Sequence, residues 1–146
     1  MEAPNIIQGR MAEDARGKVS FVNDFDLRDV RRVYRVTNSE AAPFRGWIAH
    51  KVERKWFLPA VGRVSIFLVP IDDFDHPSPT LPVLRHLLDE ASPAVLHVPG
   101  GYAIGIRSET PGASVLIFSN SLLGAIPDDV WRWPPETWNI DIEEKR

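Results

Sequence analysis

The chain has 146 residues, 44% of them hydrophobic and 25% charged, with a net charge of −3 and no cysteine. That is the length of one domain with a core large enough to fold without staples. The balance excludes a disulfide framework and a thiolate centre, and argues against a nucleic-acid binder held by a broad basic face. No apolar run approaches the roughly 20 residues of a membrane span, and MEAPNIIQGR lacks the basic start and apolar core of a signal peptide, so a cytoplasmic protein without a membrane partner is expected.

Residues 1–17 are polar and read as an irregular, mobile N-terminal segment of a single domain that takes in residues 1–146. VSFVNDF then reads as a short strand ending in an Asn-Asp turn, DLRDV as one helical turn, and RRVYRVT as a strand rich in β-formers. SEAAP is a loop into the stretch that organises the chain, PFRGWIAHKVERKWFLPAVG, where a few polar groups stand among apolar ones. Phe44–Lys51, Lys55–Leu58 and Val61–Pro70 read as three strands. The near-continuous apolar run RVSIFLV in the third suits burial on both faces.

IDDFDHPSPT must be a loop, because three acids and two prolines oppose regular structure. LPVLRHLLDE fits a helix through Leu84, Leu87 and Leu88, and a strand through Val83, Arg85 and Leu87. Ala94–Val98, Tyr102–Arg107 and Ser114–Asn120 follow as strands, punctuated by Pro99-Gly100-Gly101 and Pro111-Gly112. The tail, with Trp131, Trp133, Trp138 and paired prolines, cannot be a long helix, and its indoles should pack back on the body. Many short strands at this spacing predict an antiparallel sandwich or barrel with room for one small ligand.

The order of GKVSFVNDFD, RRVYRVTN, FRGWIAHKVERKWFLPAVGRVSIFLV, VLHVPGGYAIGI and VLIFSNS resembles the sugar-nucleotide cupins, the group of dTDP-4-dehydrorhamnose 3,5-epimerases and dTDP-sugar 3,4-ketoisomerases. The resemblance runs from about Arg16 to Trp138. It implies an all-β double-stranded β-helix, the cupin jelly roll, in a homodimer whose N-terminal strand near Phe21 crosses to the partner. It further implies a dTDP-4-keto-6-deoxysugar ligand in the barrel mouth and a place in surface-polysaccharide or glycoside biosynthesis.

The chain departs from that pattern at telling places. The family phrase Arg-Gly-x-His is here Arg45-Gly46-Trp47-Ile48, so the epimerase base is an isoleucine, which cannot take a proton. No tyrosine follows the last core strand, where SNSLL stands instead. Ala49, His50 and Lys51 keep the second histidine of the ketoisomerase phrase. Metal-binding cupins would place ligands at Ile48, His50, Lys55 and Ile104. Three of these cannot ligate and one is a cation, so no metal and no cofactor is expected.

Strand alternation puts Gly46, Ile48 and His50 on one face. His50 is then either a satisfied core residue or the remaining proton carrier. Lys55 is either solvated or a group that stabilises an enolate or binds phosphate. By the resemblance, Arg45 and Arg16 contact phosphate, Phe21 and Asn23 flank the thymine, and Lys51 belongs to the binding residues; Tyr34 is a buried aromatic or a site hydroxyl. Two functions remain open: a metal-independent epimerase or ketoisomerase with His50 and Lys55 as its catalytic groups, or a sugar-nucleotide-binding cupin that has lost its chemistry.

Overall fold

The computed structural model describes residues 1–141. Twelve strands and one short 3-10 turn make up its regular structure: β1 (Asn5–Gln8), β2 (Arg10–Asp14), β3 (Gly17–Phe21), β4 (Arg32–Thr37), β5 (Phe44–Ala49), β6 (Lys55–Val61), β7 (Arg63–Pro70), β8 (Leu84–Asp89), β9 (Ala94–Val98), β10 (Tyr102–Ser108), β11 (Ser114–Ser119), β12 (Trp131–Arg132), and the turn Pro135–Thr137. One sheet runs β1-β9-β6-β11-β4 and the other β12-β5-β10-β7-β8, with β2-β3 a separate hairpin. Every pairing is antiparallel.

Both sheets feed one interior. Phe57, Leu96, Val115 and Ile117 come from the first sheet, and Val64, Ile66, Leu68, Ile104 and Ile106 from the second. A second apolar layer covers the outer face of the second sheet, where Trp47, Ala49, Phe67, Val69 and Ala103 meet Trp131, Trp133 and Trp138 of the tail. The apolar run of β7 follows from this arrangement. Val64, Ile66 and Leu68 face the interior while Phe67 and Val69 face the tail, so both sides of the strand are dry. The indoles pack back as expected, with Trp138 only 2% exposed and edge-on to Trp47 at 5.3 Å.

Three expectations change. Residues 1–17 are not irregular: β1 pairs with β9, and β2 forms a hairpin with β3. Their polar sequences carry no core-facing pattern. β1 is a strand because the edge of β9 offers its backbone hydrogen bonds, which reading a segment by itself cannot reveal. Leu27–Val30 is a turn rather than a helical one, closed by the Val30 amide donating to the Leu27 carbonyl at 3.0 Å. The ambiguous segment is strand β8. Leu84 and Leu87, which would have lain on a buried helix face, are 41% and 50% exposed.

A bulge then resets the alternation of β5. Ile48 lies opposite Ile104 and Arg45 opposite Ile106, so Gly46 and Trp47 together face the single residue Gly105. Both glycines make room for the Phe44 ring, which a Cβ at Gly46 or Gly105 would approach to 2.6 or 2.7 Å. Arg45, Gly46, Trp47 and Ile48 all reach the cavity lining around this bulge, so Gly46 and Ile48 of the expected series are there, whereas His50, past the end of β5, is not.

Candidate functional site

The interior opens at one side into a cavity of about 400 Å³. Its walls are Val36, Ile48, Phe57, Ile104, Ile106 and Ile117, and its polar side chains are Tyr34, Arg45, Lys55 and Arg132. Register explains the grouping. Arg32, Ser119 and Lys55 stand in one row across β4, β11 and β6, and Tyr34, Ile117 and Phe57 form the next inward row. Ile48 and Arg45 face them from β5 across the barrel, and no carboxylate lines the space.

Lys55 opens β6 and is 6% exposed, so its charge is held by protein rather than water. Its Nζ lies 3.6 Å from Glu53 Oε2 and 5.8 Å from the Tyr34 ring centre. Three groups converge on that one carboxylate oxygen: Lys55, Arg32 through Nη2 at 3.6 Å, and His50 through Nε2 at 3.5 Å. Neither Glu53 Oε2 nor His50 Nε2 has a hydrogen-bond partner within bonding distance. The lysine and arginine contacts are ion pairs too long for tight hydrogen bonds, and the histidine contact is an ion pair only when the ring is protonated.

His50 sits just past β5, 7% exposed, behind the cavity wall. Its Nδ1 is 2.6 Å from the Asp129 carbonyl oxygen. A carbonyl can only accept, so Nδ1 carries the proton. Burial, and then the Lys55 charge, push the imidazole below its ordinary pKa, against the Asp129 hydrogen bond and the Glu53 charge. The ring is thus neutral at neutral pH, with the Nε2 lone pair toward Glu53. Glu53 is then balanced by two cations, and one positive charge is left over at the pocket floor.

Asp129 fixes this group from the C-terminal side. Its Oδ1 accepts from the Lys51 and Val52 amides at 2.7 and 3.1 Å, and its Oδ2 from the Val52 and Glu53 amides at 3.2 and 2.9 Å. Asn120 completes the turn by accepting from the Arg54 amide at 2.9 Å. One carboxylate therefore shapes the link between His50 and Lys55.

Of the residues singled out in the sequence, the structure brings Tyr34, Arg45 and Lys55 together on the cavity, and His50 within reach of Lys55 through Glu53. Lys51 points elsewhere, its Nζ 5.1 and 5.0 Å from the Phe74 and Trp131 ring centres. Arg16 lies in the β2–β3 turn, 90% exposed and paired with Asp14 at 2.6 Å. Phe21 lines a depression with Leu58, Pro59 and Phe118 on the outer face of the first sheet, and Asn23 one beside Gln8 and Arg10. Within one chain none of these three lines the cavity. Arg32, Glu53, Asp129 and Arg132 were not singled out. A buried acid two residues before a strand-opening lysine is the one local signal that pointed to any of them. Among the described residues, no group of three His, Cys, Asp or Glu is placed to hold a metal ion, and no helix is long and apolar enough to cross a membrane.

No family model and no curated protein matches the sequence. Solved structures match it over most of its length. A 3,4-ketoisomerase from Thermoanaerobacterium thermosaccharolyticum, in complex with TDP-4-keto-6-deoxyglucose, is 19% identical at a TM-score of 0.68, covering 88% of this chain and 86% of its own. A TDP-quinovose 3,4-ketoisomerase from Campylobacter jejuni is 18% identical at 0.66, covering 94% and 98%. An rmlC epimerase from Mycobacterium tuberculosis is 20% identical at 0.70, covering 88% and 68%. The fold is therefore the cupin jelly roll that the sequence resemblance implied, in the form taken by these dTDP-sugar enzymes.

The Asp129 arrangement makes a direct prediction. Asp129→Ala leaves three backbone N–H groups near a buried turn without their acceptor, and should cost about 3 kcal/mol or more in urea unfolding. Asp129→Asn, which keeps one acceptor oxygen, should cost less. A loss below about 1 kcal/mol for Asp129→Ala would show that water replaces the carboxylate and that the turn does not depend on it.

Proposed function

We propose that the protein binds a dTDP-4-keto-6-deoxysugar in this cavity and catalyses proton transfer beside the keto group, as a metal-independent isomerase or epimerase. The observation that supports this most is the charge pattern of the cavity. Lys55, Arg45 and Arg132 line an otherwise apolar space that no carboxylate enters. A nucleoside diphosphate sugar matches both the positive lining and the apolar walls, which a neutral sugar or an apolar ligand does only in part. The solved neighbours that carry TDP or TDP-4-keto-6-deoxyglucose add support.

In this reading Lys55 is the catalytic cation. Removing a proton next to a ketone gives an enolate, and an ammonium in a dry site stabilises its oxygen. With Lys55 holding the enolate oxygen, the proton that leaves the carbon passes to the phenol oxygen of Tyr34 acting as base and is returned from it to carbon, so Tyr34 is the proton carrier on the cavity wall. His50, expected from the sequence to face the sugar itself, acts from behind as a positioning residue. By donating from Nδ1 to the Asp129 carbonyl it helps hold the turn that delivers Lys55. Arg45 takes a phosphate. Lys51 serves the site only by holding the Trp131 strap in place.

Arg16, Phe21 and Asn23 fit the reading only in an assembly. The β2–β3 hairpin pairs with itself alone, and its Val19 is 64% exposed. We place these residues at the pocket of a second copy in a cytoplasmic homodimer serving surface-polysaccharide or glycoside synthesis. Light scattering at micromolar concentration should give the dimer mass; a monomer contradicts that assignment.

Ile48 on the cavity wall, where the base of the resembling epimerases would stand, favours the second reading of a binding protein without turnover. Incubation with dTDP-4-keto-6-deoxyglucose in deuterated water separates the two. Deuterium at C3 or C5, abolished by Lys55→Ala and slowed by His50→Ala, is the expected result. Tight binding with no exchange would leave only the binding protein, and neither binding nor exchange would reject both.

A further inference from the structure

The C-terminal strap contributes two residues to the cavity lining, Arg132 and Trp133, and the arginine is the charged one. β12 pairs with β5 so that Trp131 lies opposite Ala49 and Arg132 opposite Ile48. Trp133 extends the pairing through two backbone hydrogen bonds with Trp47, at 3.1 and 3.2 Å. Alternation along so short a strand sends its neighbours to opposite sides. Trp131 joins the outer aromatic layer, Trp133 packs in that layer and also borders the cavity, and Arg132 lines the cavity. The rings hold the strap firmly: Trp131 is edge-on to Phe74 at 4.7 Å and Trp133 to Trp138 at 5.5 Å. The position of the Arg132 backbone is thus set by packing and not by any ligand.

What the Arg132 guanidinium would do there is unanswered by the protein itself. It makes no hydrogen bond or ion pair with any other described residue. Arg45, on the same cavity, uses only Nε, which donates to Asn38 Oδ1 at 3.3 Å. Two guanidinium groups therefore line one cavity with their terminal N–H donors unmatched, and with Lys55 as a third cation on the same lining. Two exposed guanidinium groups and the Lys55 charge on one lining give the cavity a positive potential that favours an anionic ligand. The planar fork of arginine suits phosphate oxygens in pairs, which a single ammonium cannot match.

Resting on the sugar-nucleotide reading above, we infer that Arg132 and Arg45 together clamp the diphosphate of the nucleotide, Arg45 from the bulged strand β5 and Arg132 from the strap laid across it. The diphosphate supplies oxygens for both forks. The Lys55 charge is then left free for the sugar. Arg132 also stands beside Ile48, so a diphosphate held there brings the attached sugar to the wall where Lys55 and Tyr34 face it. The strap becomes a binding element of the site, where the sequence suggested only a packing tail.

Isothermal titration of dTDP into wild type, Arg132→Ala and Arg132→Lys, at low and at moderate salt, tests this. Arg132→Ala should weaken dTDP binding about tenfold or more and flatten its salt dependence, with an unchanged unfolding midpoint, because the side chain is exposed and bears no packing. Arg132→Lys, which keeps the charge and the stem but not the fork, should fall between wild type and Arg132→Ala. Equal affinity and equal salt dependence in wild type and Arg132→Ala would overturn the clamp while leaving the sugar-nucleotide reading in place. No binding of dTDP by the wild type would overturn both.

Discussion

The geometry of the site depends on one carboxylate. The Asp129 carboxylate accepts hydrogen bonds from three consecutive backbone amides, those of Lys51, Val52 and Glu53, and its backbone carbonyl oxygen accepts one from His50 Nδ1. A turn that must leave β5, reverse, and deliver Lys55 at the first position of β6 has backbone donors that neither sheet can satisfy. Asp129 satisfies them with a charged acceptor, which is the stronger kind of hydrogen bond. Packing closes the turn from the other side: the Gly101 amide donates to the His50 carbonyl at 2.8 Å, and a Cβ at Gly100 would strike the Lys51 carbonyl oxygen. The chain from 50 to 55 thus has little freedom left.

That rigidity gives the ionisable groups their character. Glu53 is 9% exposed and gathers Arg32, His50 and Lys55 around one oxygen. Burying a carboxylate is costly by several kcal/mol, and two cations in contact offset that cost where one would not suffice. Truncating Glu53 would therefore do more than free the lysine: it would take the shared counter-ion from both the buried Lys55 and the half-buried Arg32. His50 remains neutral because burial and Lys55 together disfavour its charge. The cluster ends with surplus positive charge on the cavity side, and the two arginines at the cavity add to it. An anionic ligand answers an imbalance that the protein itself leaves standing.

Much of this was legible before any coordinates. Strands whose side chains alternate or run apolar on both faces, β4 to β7 and β9 to β11, follow from side-chain period alone. The resemblance in block order led to the jelly roll, and Tyr34, Arg45 and Lys55 do meet at one cavity. What could not be read depends on distant partners. β1 has no pattern of its own and exists because β9 presents an edge. The bulge at Gly46 and Trp47 is set opposite Gly105, far along the chain, and β5 ends before His50, which therefore leaves the face that Ile48 presents to the cavity. Asp129 meets its turn across 76 or more residues, and Arg132 belongs to a strand too short to show a period. Sequence pattern reports the faces of elements; it does not report which loop will supply the charge that completes a site.

The central claim is that the cavity beside Lys55 receives a nucleoside diphosphate sugar between the two sheets. A crystal structure of the protein with dTDP tests it most directly. Density for the diphosphate within hydrogen-bonding distance of Arg45 and Arg132, with the β-phosphate directed toward Lys55 and Tyr34, is the expected result. Nucleotide bound elsewhere on the surface, or an empty cavity at saturating dTDP, would contradict it.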